Sequence, residues 1–306
     1  MSSSFALFLL TFISGCAWMY PYNKVPADRG VVNEIEGRYY SPRLKKYIPY
    51  WVALPERDDE DETLPAVFFL HGRNGTRHHF RDLGGTSVLS RYLNTSGRRF
   101  AVVSLTGSYS ENNVNYNTYW VNGLRKGSHP WATIVLREMI PWIEQHHNLG
   151  GSPDNRMIAG ISMGSHGAYQ LGLTSQGMFR CVAGHSLVIR SYASMNKEFP
   201  GLFGTRTDFA RRDPWSLLHI MQWKRQTQVK KFWLDIGGKD DPTFIKWAGR
   251  MEAELRRLGY APALGDYFDA GVTHPQGDHS FTYSTQRLPE YVQWWGNCFP
   301  RTSDSN

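Results

Sequence analysis

One pentapeptide, Gly160-Ile161-Ser162-Met163-Gly164, restricts the fold more than any other stretch of this chain. It lies between the apolar run from Arg156 to Ile161 and a small-residue helical pattern, Gly164-Ser165-His166-Gly167-Ala168-Tyr169. A strand that turns sharply into a helix carries its own backbone across itself, so the residues two before and two after the turn must lack bulky side chains. Gly160 and Gly164 meet that demand, and the turn residue is a serine. The turn exposes the Ser162 hydroxyl at the carboxyl end of a strand. It also sets the Met163 N–H at a helix N-terminus, where developing negative charge is stabilised. These are parts of a covalent acyl-transfer site, and they require strand-turn-helix surroundings.

The remaining sequence supplies such surroundings. Apolar or β-branched runs at residues 47–54, 66–70, 100–105, 157–161, 181–186, 231–236 and 265–268 predict strands. Between most of them lie helical patterns. Residues 131–147 carry Ile134, Val135, Met139, Trp142, Ile143 and His146 at helical spacing, with Pro141 predicting a kink or break. Residues 244–258 place Met251, Leu255 and Leu258 on one face, and 288–295 form a last helix. Strands alternating with helices predict an α/β class: a mostly parallel sheet flanked by helices on both faces, with the chemistry at the strands' carboxyl ends. At 306 residues and 41% hydrophobic, with no internal repeat and no linker-like break, the chain fits one large catalytic domain.

A serine hydroxyl is a weak nucleophile until an imidazole takes its proton, and that imidazole needs a carboxylate to hold its tautomer. In this fold class the chain order is serine, acid, histidine, so both partners are sought after Ser162. For the acid, the strand-like residues before Gly237-Gly238 are followed by Lys239-Asp240-Asp241-Pro242. Asp241, directly before a proline, reads as a helix N-cap. That leaves Asp240 as the candidate acid, with Asp235 inside or at the end of its strand. For the base, His279 in Gly277-Asp278-His279-Ser280 stands in a strand-end loop before the final helix, and His274 in the same loop is the second candidate. His166 sits a turn beyond the serine and reads as packed or solvent-facing, and His146-His147 as a dipole-favoured pair at a helix end. His71-Gly72-Arg73 follows an earlier strand; Gly72 permits close approach, and the Arg73 N–H is the expected second oxyanion donor beside that of Met163. His71 there reads as a structural hydrogen-bonding residue. No H-E-x-x-H pattern or cysteine pair suggests a metal, and no cofactor is expected.

Charge and composition narrow the partners. The net charge of +7 comes from scattered basic residues without blocks, which does not support nucleic-acid binding. The acidic run Glu56 to Glu62 reads as a solvated hairpin loop, since consecutive carboxylates without a turn glycine do not converge on one ion. Eleven Trp and sixteen Tyr fit an aromatic-lined cleft, although most must be core.

The first residues differ from the rest. Ser2-Ser3-Ser4 precedes a short apolar run ending in Ile13-Ser14-Gly15-Cys16, which is signal-peptide-like and too short to span a bilayer. That tetrapeptide resembles a bacterial lipobox, although the start lacks Lys and Arg. Ala17 after the cysteine leans by resemblance towards the outer membrane. The expected organisation is a signal with a lipid-bearing Cys16 over 1–16, an extension over 17–40, a catalytic domain over 41–299 and a polar tail over 300–306. The expected location is that of an exported, periplasm-facing outer-membrane lipoprotein, with a soluble periplasmic or secreted protein as the alternative. Cys181 and Cys298 remain, compatible with one disulfide or with two buried thiols.

Together these residues resemble the esterase D-like family of α/β-hydrolases, which includes S-formylglutathione hydrolases, feruloyl and acetylxylan esterases, siderophore esterases and mycolyltransferases. The matching pieces are Ser41-Pro42-Arg43-Leu44, Val52-Ala53-Leu54-Pro55, Leu70-His71-Gly72, Gly160 to Gly164, Phe203-Gly204, Asp213-Pro214, Asp240 and Gly277-Asp278-His279-Ser280, in the family's order. Where the family often continues its elbow with a second glycine, this chain has Ser165. The resemblance implies carboxyl-ester chemistry on a small-molecule or glycan-linked ester and leaves the substrate open. An acyltransferase that passes the acyl group to a sugar or lipid hydroxyl is the alternative. A non-catalytic binding lipoprotein is a third possibility, which intact Ser162, Asp240 and His279 disfavour.

Overall fold

A computed structural model describes residues 30–107, 117–175, 177–224, 229–260, 262 and 274–300, with backbone alone for 220–224. The signal and lipobox, most of the extension, the strand expected at 265–268 and nearly all of the tail lie outside the described residues.

Seven strands form one sheet in the order β1-β2-β4-β3-β5-β6-β7. They are β1 (Val32–Ser41), β2 (Lys46–Pro55), β3 (Ala66–Leu70), β4 (Ala101–Leu105), β5 (Arg156–Ile161), β6 (Cys181–His185) and β7 (Lys231–Leu234). The β1–β2 and β2–β4 pairs are antiparallel and all others parallel. The central strands are buried on both faces, which is why β3 reads Ala-Val-Phe-Phe-Leu without a polar break. Alternation divides their side chains. Phe68 and Leu70 join the core that includes Ala168 and Leu171 of the elbow helix, Met163–Thr174. Val67 and Phe69 join Leu89 and Leu93 of helix Gly85–Ser96 and Leu288, Tyr291 and Trp295 of the C-terminal helix, Phe281–Cys298. Trp295, Phe69 and Phe80 meet with ring centroids 5.7–5.9 Å apart, each burial contributing roughly 2–3 kcal/mol.

Several expectations change. Residues 32–40, read as extension, belong to β1, an edge strand whose outer positions face water. The acidic run is no hairpin, because β4 lies between β2 and β3. It is a crossover segment, and Asp58 and Glu62 pair with Arg99. Pro141 neither breaks nor ends its helix: a π-helical turn, Val135–Met139, precedes it and the chain continues helically as Ile140–His147. The wider turn relieves the clash a proline makes with the carbonyl four residues back. The last helix starts at Phe281, seven residues before the expected position. Cys181 and Cys298 form a disulfide across 117 residues, fastening the start of β6 to the end of the C-terminal helix.

Candidate active site

Strand β5 delivers the serine. Ser162 follows it with φ 56° and ψ −118°, a conformation side-chain-bearing residues avoid at a cost of about 1–3 kcal/mol. The surroundings enforce it. A Cβ on Gly160 would stand 2.1 Å from the Gly164 oxygen, and one on Gly164 2.0 Å from the Leu70 oxygen. The Ser162 N–H donates to the His185 carbonyl at 3.0 Å, and its own carbonyl accepts from the Ser165 N–H at 2.9 Å and the Ser165 hydroxyl at 2.5 Å. Ser165 Oγ in turn accepts from the Val188 N–H at 3.0 Å. The residue that departs from the family pattern thus ties the elbow to the loop after β6.

The loop after β3 closes over the serine. A Cβ on Gly72 would touch the Ile161 oxygen at 3.3 Å and Ser162 Cβ at 3.4 Å. His71 is buried, and its Nε2 accepts from the Gly107 N–H at 3.1 Å, so its Nδ1–H donates to the Gly72 carbonyl at 2.7 Å. Burial pushes its pKa down to about 4, partly offset by the bond to Gly72. The Gly72 N–H is occupied by His79 Nδ1 at 3.2 Å. The Arg73 and Met163 N–H groups donate to no other group among the described residues, and both residues line the cavity over Ser162.

The candidate acid and base come from beyond β7. Asp240 is buried; its Oδ1 accepts from the Asp241 N–H at 2.6 Å and its Oδ2 from His279 Nδ1–H at 2.7 Å. His279 Nε2 lies 2.7 Å from Ser162 Oγ. Asp241 caps helix Pro242–Arg257, accepting from the Thr243 N–H at 2.7 Å. The two loops are laced by bonds from Gly238 N–H to the His274 carbonyl and from Lys239 N–H to the Gly277 carbonyl, both 2.7 Å. Gly237 and Gly238 make that crossing possible, because a Cβ would come 2.3 Å from the Gly277 oxygen or 2.5 Å from the Pro275 oxygen.

The other candidates stand elsewhere. His274 turns its ring to Tyr283, with Nε2 3.8 Å from Glu290. Asp235, just past β7, is buried and accepts from the Ser186 N–H at 2.6 Å. His166 is buried against Tyr119 and Phe203, and burial lowers its pKa to about 3. His147 bonds to the Tyr50 hydroxyl at 2.8 Å, and burial lowers its pKa to about 4. Its ring is therefore neutral near pH 7, and the expected charge-dipole interaction does not apply to it.

The cavity over Ser162 measures about 400 Å³. Its walls include Tyr119, Arg190, Phe244 and Phe281, none of which the sequence analysis singled out. Phe281 and Phe244 follow closely on His279 and Asp241-Pro242, so a signal existed for them; Tyr119 and Arg190 stand in no motif.

A model of the Esterase family matches residues 41–294. An esterase of Mycobacterium tuberculosis (strain H37Rv) is 28% identical over 137 residues, 45% of this chain. That match spans about a quarter, 27%, of the relative's length. Among solved structures, an S-formylglutathione hydrolase from Agrobacterium tumefaciens superposes with a TM-score of 0.70 at 18% identity, covering 88% of this chain and 96% of that one. A ferulic acid esterase gives 0.70 and 18% over 88% and 99%. MPT51 of Mycobacterium tuberculosis gives 0.64 and 16% over 88% and 100%. At these identities the likeness establishes the α/β-hydrolase fold.

Proposed function

The chain belongs to the Esterase family, and on that premise we propose that it is a serine carboxylic-ester hydrolase working through an acyl-enzyme on Ser162. The hydrogen-bond chain from Ser162 Oγ to His279 Nε2 and from His279 Nδ1 to Asp240 Oδ2, each 2.7 Å, is the observation that carries this reading. With Nδ1–H donating to Asp240, Nε2 presents its lone pair to the serine hydroxyl. As Ser162 Oγ bonds to the ester carbonyl carbon, Nε2 takes its proton, and the Arg73 and Met163 N–H groups receive the charge that develops on the carbonyl oxygen. Collapse expels the alcohol, which leaves with the proton from Nε2. Water then attacks the acyl-enzyme, giving its proton to His279, and the acid departs as Ser162 recovers its hydrogen. The strained elbow holds Oγ toward the cavity, so little is reorganised during the reaction.

Wild-type protein is expected to turn over short p-nitrophenyl esters and to be labelled on Ser162 by a fluorophosphonate. Ser162→Ala should lose both, with turnover falling by at least about a thousandfold. Undiminished turnover in that variant would overturn the assignment.

We also propose that the chain is exported and anchored through lipid on Cys16. The lipobox-like Ile13-Ser14-Gly15-Cys16 supports this, as does the Cys181–Cys298 disulfide, a bond that persists in oxidising compartments. Intact mass of membrane-fraction protein should show a chain beginning at an acylated Cys16; an N-terminus elsewhere without acyl mass would refute it.

A further inference from the structure

Among the described residues, the lining of the cavity over Ser162 includes Arg73 and Arg190 and no carboxylate. Beside the pair stands Glu198, the last residue of helix Tyr192–Glu198. Its Oε1 accepts from Arg73 Nη1 and its Oε2 from Arg190 Nη1. Arg190 is held further by its Nε, which donates to Ser194 Oγ at 3.1 Å. The Arg73 guanidinium lies 5.6 Å from the centre of the Phe199 ring. Arg190 and Glu198 are 20% and 29% exposed and Arg73 is 50% exposed, so solvent screens the Arg190–Glu198 pair less than an open surface pair.

One carboxylate neutralises one arginine. If the cluster served only to fasten the loop after β3 to helix Tyr192–Glu198, Arg73 and Glu198 would suffice. Arg190 adds a second cation, and the surplus positive charge lies on the wall of the cavity that holds the serine. Among the described residues Nε and Nη2 of Arg73 have no hydrogen-bond partner, so this fork retains donors. A guanidinium anchored on one side with N–H groups to spare is suited to carboxylate or phosphate oxygens. Among the described residues that line the cavity, none is acidic. Phe244 and Phe281 are apolar, and burial holds His79 down to about 4, so its ring is neutral near pH 7.

We propose that this cleft selects esters carrying an anionic group, a carboxylate or a phosphate, and that the Arg190 and Arg73 side chains are the specificity-determining residues. The proposal rests on the esterase reading of Ser162. The charge can ride on the acyl part or on the alcohol, so the test uses two matched pairs: p-nitrophenyl hemiglutarate against p-nitrophenyl butyrate, and p-carboxyphenyl acetate against phenyl acetate. In at least one pair, kcat/KM for the charged ester should exceed that for the neutral one. Arg190→Gln should cut that ratio by about tenfold or more, the loss of one charge-assisted hydrogen bond, and Arg190→Lys should cut it less. A ratio cancels differences in the amount of folded protein. Should Arg190→Gln not fold, wild-type protein answers alone. Its preference should collapse between about 0.01 and 1 M ionic strength, where the screening length contracts from about 30 Å to about 3 Å. Charged esters favoured in neither pair, or a preference indifferent to both Arg190→Gln and salt, would overturn the proposal while ester turnover and fluorophosphonate labelling leave the esterase reading standing. If nothing is turned over and Ser162 is not labelled, the esterase reading itself fails and the proposal falls with it.

Discussion

Ser162 and the loop above it are held by backbone packed against backbone, whereas Asp240 and His279 are held by two loops laced together past the edge of β7. On the first side, adding one carbon to Gly164 meets the Leu70 oxygen at 2.0 Å, and that oxygen belongs to a strand buried on both faces. On the second, the carbon that Gly238 lacks would meet the Pro275 oxygen at 2.5 Å in a segment outside the sheet. Both contacts forbid a side chain, but only the second neighbour can give way without disturbing the core. The Ser162 side is therefore tied to global stability, and the Asp240–His279 side to local geometry.

The largest expected effect tests that division directly. Gly164→Ala should cost more than about 4 kcal/mol and leave little folded protein, while Gly238→Ala should keep most of the melting temperature and lose ester turnover. Equal losses of melting temperature in the two variants would erase the distinction. Next in size, Asp240→Asn should lower kcat by about a hundredfold to ten-thousandfold with the fold intact, because an amide no longer selects the productive histidine tautomer. Asp241→Asn should change stability by less than about 0.5 kcal/mol, since asparagine caps helices as well as aspartate does. Steady-state kinetics with urea midpoints on both variants checks the ranking, and the reverse order would move the acid to Asp241.

A smaller effect concerns acid. His71 and His166, both on the Ser162 side, have folded pKa values of about 4 and about 3, below the unfolded value near 6.5. Between those limits the unfolded chain binds more protons, so stability falls as pH drops below about 6.5, by roughly 2 kcal/mol for each at pH 5. Asp213 works the other way. Burial raises it to about 6, so acidification from pH 7 to 5 returns roughly 1 kcal/mol. His79 and His147, also held down to about 4, add losses of the same sign, so the net expectation is a loss of more than roughly 3 kcal/mol, measurable as a lower urea midpoint at pH 5 than at pH 7. An unchanged midpoint would mean that these imidazoles do not depend on staying neutral.

How far the sequence could be read follows from the same division. Steric crossings dictate residue types, so Gly160, Ser162 and Gly164 announced the elbow, and the continuous apolar runs of β3 to β6 placed the buried parallel strands within a residue or so. Asp240 and His279 could be reached only through chain order and by explaining Asp241 as a cap, since a loop crossing imposes little beyond a glycine pair. The edge strand β1, Val-Asn-Glu-Ile-Glu-Gly-Arg-Tyr-Tyr-Ser, escaped because water on its exposed positions fills the pattern with charges. Arg190 and Tyr119 escaped for another reason: they are brought to Ser162 by tertiary folding alone, from segments that carry no local signal.

The Cys181–Cys298 bond divides the chain in a way the sheet does not. It closes a covalent ring that contains Asp240 and His279 and leaves Ser162 outside. A single peptide cut anywhere inside the ring opens it to a line without releasing a fragment, so Asp240 and His279 stay attached to the start of β6, the strand beside the serine's own. A cut between Ser162 and Cys181 instead leaves Ser162 on one chain and Asp240 and His279 on another, joined only by packing. Under reducing conditions the two kinds of cut become equivalent, and either one yields two separable pieces.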